Sequence, residues 1–116
     1  MSSLAKIFVL LVALEHIYIM ILEIYLNDSK SAQRSFGLDI EFLKDKRVKT
    51  MMSNQGLYNG FLATGLIWGL LEIDSVFQIK IVLFFLLCVL CAAIYGAITS
   101  SPKILLLQGM PALIAL

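Results

Sequence analysis

Four apolar stretches, 4–26, 48–71, 77–98 and 102–116, limit what this chain can fold into more than any other feature. A helix needs about 20 mainly apolar residues, at about 1.5 Å of rise each, to cross the hydrocarbon of a bilayer. The first three stretches meet that length. The fourth opens on Ser101-Pro102, a cap with proline in the first turn; it reaches about 22 Å and is expected to bend at Pro111. Lipid offers no partner to backbone amides, so a spanning segment must satisfy them internally, as a helix does. The expected fold is all-α: an integral membrane, antiparallel four-helix bundle, one domain over 1–116. The first stretch is too long for the apolar part of a signal peptide and has no small-residue cleavage pattern after it, so it reads as a retained helix.

Composition agrees. Hydrophobic residues make up 60% of the chain and charged residues 15%, against about 45–50% and 25% in soluble domains. The net charge of +1 gives no basic footprint for nucleic acid. The distribution of the charges says more. Lys30, Arg34, Lys44, Lys46, Arg47, Lys49 and Lys103 fall on the side of the first and third connections, while Lys6 and Lys80 fall on the other. Basic connections stay in the cytoplasm, so the expected location is the cell membrane with both termini extracytoplasmic. The long connection, 27–47, is polar in its first half. In its second half apolar Phe36, Leu38, Ile40, Phe42 and Leu43 are interleaved with charges. That pattern suits an amphipathic helix at the headgroup level, or an extension of the second helix out of the membrane.

Ionisable side chains inside such spans are costly, about 2.5–3.5 kcal/mol near the helix centre, and they turn toward the bundle interior. The first span carries Glu15, His16 and Glu23 within an arc of roughly 100°. The second carries Asn54, Gln55, Tyr58 and Asn59 within about 140°, beside the small residues Gly56, Gly60 and Ala63 that let backbones approach. Gly65 and Gly69 lie deeper on that arc and either receive a neighbouring helix or leave a cavity. Tyr95 in the third span and Gln108 in the fourth complete the polar set. Glu15 is expected to donate a hydrogen bond to Asn59 or another amide. One His and two Glu without a second His make a poor metal site, and no cofactor is implied. Cys88 and Cys91 have C-x-x-C spacing but sit deep in an apolar run, where small packing residues are the better reading.

The blocks A-L-E-H-I-Y-I (13–19), L-E (22–23), N-Q-G-L-Y-N-G-F-L-A (54–63), Y-G-A (95–97) and L-Q-G-M-P-A-L (107–113) resemble the small bacterial and fungal membrane proteins grouped as domain of unknown function 1304. The resemblance covers almost the whole chain. It implies a four-helix membrane protein with no assigned activity, and its signature positions include Glu15, His16, Glu23, Asn54, Gln55, Tyr58, Asn59, Tyr95 and Gln108.

These residues are the candidate ligand site. The leading reading is a polar intramembrane pocket for a small amphipathic or polar molecule, a lipid or metabolite, with its apolar part along Gly65 and Gly69. Three alternatives stand beside it. One is a membrane enzyme using Glu and His as acid and base. Another is a proton-coupled transporter, which with so few helices would act as a homo-oligomer. The last is a polar network that only fastens helices. The lipid bilayer is the one partner common to all four.

Overall fold

The computed structural model describes residues 1–99 and 109–115. Among them the chain is all-α, without strands, as helices α1 (Ser3–Ile24), α2 (Lys30–Phe36), α3 (Ile40–Lys44), α4 (Lys46–Leu71), α5 (Ser75–Thr99) and α6 (Met110–Ala115). Two of these, α1 and α5, are long and apolar enough to cross a membrane. The amides and glycines in the first half of α4 dilute its apolar character. The Ser101-Pro102 start signal and Gln108 lie outside the described residues. The contacts divide the chain into two units.

The first unit comprises the described residues of Met1–Leu14 and Leu62–Leu116. Val9, Val12 and Ala13 of α1, Leu66 of α4, Val82, Leu86 and Val89 of α5, and Ala112 and Ala115 of α6 form its core. A connection of three residues, 72–74, reverses the chain between α4 and α5, and side chains satisfy the backbone groups that both helix ends leave free. The Asp74 carboxylate accepts from the amides of Val76 at 2.9 Å and Phe77 at 3.1 Å. Such a cap stabilises a helix by about 1 kcal/mol. Buried Gln78 turns back and donates to the carbonyls of Leu70 and Glu72. The Phe85 ring packs over Gly65, and Val82 and Ile81 over Gly69. Those glycines receive α5. The space reserved for an apolar ligand tail is filled by side chains instead.

The second unit is Glu15–Phe61. Here the first connection holds two short helices rather than one. Ser29 caps α2 by accepting from the Ala32 amide, and Gly37, at φ 64°, ends it in the left-handed region that favours glycine. Asp39 then caps α3 by accepting from the Phe42 amide at 2.7 Å. Ala32 and Leu43, both fully buried, pack with Met52, Phe36 and Val48, so this elbow is fastened to the start of α4. The Asp45 carboxylate accepts from the Arg47 amide at 2.8 Å at that start, and α4 therefore begins two residues before the apolar stretch does.

On α1 apolar side chains lie on both sides: Val9, Val12, Ala13 and Leu22 are buried. Leu4, Ile7, Leu11, Leu14 and Tyr18 of α1 are exposed, whereas His16 and Glu23 are buried. An isolated exposed leucine is ordinary, but buried ionisable groups beneath an apolar surface require a reason.

Candidate functional site

Glu23 lies near the end of α1 and is 1% exposed. Its Oε1 accepts a hydrogen bond from the side-chain amide of Asn59 on α4. The same Asn59 nitrogen also lies 3.3 Å from the Gln55 carbonyl of its own helix. Close approach of the two helices makes this possible. A Cβ added at Gly56 would lie 2.7 Å from Ile24 Cγ1, 3.0 Å from Glu23 Cβ and 3.2 Å from the Met20 carbonyl. One turn along α4, a Cβ at Gly60 would lie 2.7 Å from Met20 Sδ. The small-residue stripe thus serves within the chain as the groove for Met20 and Ile24.

Below Glu23 the network continues to the surface. Asn27 is buried, and its side-chain amide donates to the Glu23 carbonyl at 3.1 Å, closing the C-terminal turn of α1. Its Oδ1 accepts from Lys49 Nζ at 3.1 Å. Lys49 Nζ also donates to Asp28 Oδ2 at 2.8 Å. That hydrogen bond, then the lysine charge, holds the Asp28 carboxyl below the usual range, with a smaller pull from Lys44. Asp45 is also held below the usual range, first by the side-chain hydrogen bond from Arg47 and then by the Arg47 backbone amide. Asn27, Asp28 and Lys49 were not among the sequence candidates. An Asn just past an apolar run is a recognisable helix-end residue, but nothing in the sequence pairs it with a lysine 22 positions on.

The other candidates divide. His16 is buried in the same unit. Among the described residues Glu15 Oε1 is buried and has no hydrogen bond, and the expected partner, Asn59, donates to Glu23 instead. The reason is axial: Gly56 brings the helices together beside Glu23, and Glu15 lies eight residues, about 12 Å, farther along α1. Asn54, Gln55 and Tyr58 are exposed, and the Tyr58 ring meets Phe61 edge-on with centroids 5.9 Å apart. Tyr95 belongs to the other unit and is also exposed. Gln108 is outside the described residues. Cys88 is half-buried and Cys91 exposed, both as free thiols, so Cys91 does not pack inside. Among the described residues no three His, Cys, Asp or Glu side chains gather as metal ligands would.

A family model described as protein of unknown function (DUF1304) matches residues 10–116. The chain belongs to that family. The match includes every candidate residue, from Glu15 to Gln108. The uncharacterized protein YpaA of Lactococcus lactis subsp. lactis (strain IL1403) is 42% identical over 116 residues, spanning 100% of this chain and 96% of that relative. No solved structure matches.

Proposed function

We propose that this member of the DUF1304 family is a multi-pass protein of the cell membrane, a four-helix antiparallel bundle forming one domain. In this reading the polar seam between α1 and α4 binds a small polar or amphipathic molecule through Glu15, His16, Glu23, Gln55 and Asn59. The observation that carries the ligand reading is the buried Glu15 Oε1, which has no donor among the described residues. A buried acceptor left unpaired costs about 1–3 kcal/mol, a cost that a bound donor removes. The membrane reading rests on the two long apolar helices and on apolar side chains exposed around buried His16 and Glu23. With the basic 27–47 connection in the cytoplasm, both termini are extracytoplasmic. In α4 the Asn59 amide is taken up by Glu23, which lowers the cost of carrying it into lipid.

The purely structural network is the second reading, and the Asn59–Glu23 bond favours it, because that pair satisfies itself. Native mass spectrometry of the protein released from nanodiscs made with a total lipid extract separates the two. A retained adduct of defined mass, lost in Glu15→Gln, is the result expected of a ligand site. Bare protein under conditions that preserve its fold leaves the structural network as the function of these residues.

A further inference from the structure

The elbow formed by α2 and α3 carries a surface that the seam does not use. Its inner side is fastened by Ala32 and Leu43. Its outer side exposes Leu38 and Phe42, and the end of α1 that leads into it exposes Tyr25 and Leu26. Lys30, Arg34, Lys44 and Lys46 are exposed on the same segment and form no ion pair among the described residues. Two of the four acids of 27–47 are paired elsewhere, Asp28 with Lys49 and Asp45 with Arg47. Asp39, which keeps its charge while capping α3, and Glu41 remain as two exposed acids against the four basic side chains. The elbow therefore combines surplus positive charge with exposed apolar and aromatic side chains. It is joined directly to the end of a helix long and apolar enough to cross a membrane.

We propose that this elbow is a docking surface for anionic phospholipid: Lys30, Arg34, Lys44 and Lys46 contact headgroup phosphates while Phe42 and Leu38 enter the acyl boundary. The proposal rests on the membrane-spanning reading and is independent of any ligand in the seam. Covalent continuity with α1 holds the elbow at headgroup depth, and charge complementarity selects the lipid. A basic side chain near an anionic leaflet contributes about a fivefold preference, so four act together as a strong selector. An interfacial elbow of this kind needs both elements, because charge alone leaves the aromatic ring in water.

The test uses the full chain with Phe42→Cys in a Cys88→Ala, Cys91→Ala background. It is labelled with a polarity-sensitive dye and reconstituted into nanodiscs of phosphatidylcholine alone or mixed with phosphatidylglycerol. The expected result is a blue-shifted emission and severalfold less quenching by acrylamide in the phosphatidylglycerol discs. Replacing Lys30, Arg34, Lys44 and Lys46 together by Gln should abolish that difference. These positions lie outside the Ala32, Leu43 and Met52 cluster, and an unchanged circular dichroism melt verifies that the variant is folded. Emission that is the same in both disc types, or a difference that survives the Gln substitutions, overturns the proposal and leaves the membrane reading intact. A response to free glycerol phosphate in place of the lipid also overturns it. Failure to enter discs of either composition overturns both.

Discussion

Asn59 donates its side-chain amide to the buried carboxyl of Glu23, 36 positions away in the chain. That bond joins α4 to α1 beside Gly56, where a Cβ would lie 3.2 Å from the Met20 carbonyl. Interhelical hydrogen bonds in membranes average about 0.6 kcal/mol, but an unpaired buried acceptor costs about 1–3 kcal/mol. Asn59→Leu should therefore cost more than the bond itself contributes, while Glu23→Gln, which keeps a carbonyl acceptor, should cost less. Thermal unfolding in detergent compares the two. Equal losses would mean that Glu23 acts through its charge rather than as an acceptor.

Gly56 and Gly60 should not tolerate alanine equally. At Gly56 the new methyl meets Glu23 Cβ and the Met20 carbonyl as well as Ile24, and backbone cannot yield. At Gly60 it meets Met20 Sδ, the far part of a flexible side chain. Overpacking costs about 1–3 kcal/mol, and we expect Gly56→Ala in that range with Gly60→Ala well below it. The reverse order of melting temperatures would contradict this packing of α4 against α1.

The Asp28–Lys49 pair sets an acid limit. Because Lys49 depresses the folded-state pKa of Asp28 below the ordinary value of 3.8, the contribution of the pair is fully present above that value. It is lost as pH falls through the lower folded-state value. The difference in melting temperature between the native chain and Asp28→Asn should be constant near neutrality and vanish in strong acid. Carbon NMR of the Asp28 carboxyl should titrate below 3.8 and return to the ordinary range in Lys49→Met.

Glu15 offers a separation of stability from binding. Its buried Oε1 has no donor among the described residues, so an apolar replacement removes a polar group that those residues do not satisfy. Glu15→Met should raise the stability of ligand-free protein by on the order of 1 kcal/mol while abolishing any retained adduct. A destabilised Glu15→Met would point to a structural partner for this carboxyl.

Orientation is read by accessibility. Ser31 lies in α2 and Ser75 at the start of α5. In a chain with Cys88 and Cys91 replaced, Ser75→Cys should react with an impermeant maleimide in intact cells. Ser31→Cys should react only after the membrane is opened. The opposite pattern would invert the topology without affecting the helices.

The helices themselves were legible in the linear pattern. Apolar stretches of spanning length became α1 and α5, and a third, interrupted by amides and glycines, became α4. Helical periodicity also drew the ionisable groups Glu15, His16 and Glu23 together on one arc of α1. Gly37 was legible only in hindsight: it divides the first connection into two short helices because its backbone turns to positive φ, a local event that an averaged amphipathic pattern does not register.

Pairing was decided by tertiary structure. Periodicity dictates which side of its own helix a residue occupies, but not the axial height at which a neighbouring helix meets it. Ile24 beside Gly56 and Met20 beside Gly60 set that height, which gives Asn59 to Glu23 and leaves Glu15 Oε1 without a donor among the described residues. The same kind of non-local fit fills the space over Gly65 with Phe85 and brings Lys49 to Asn27 and Asp28. Each of these contacts depends on side-chain shape and reach across residues far apart in the chain, whereas the helices that carry them depend on local composition and self-satisfied backbone hydrogen bonds.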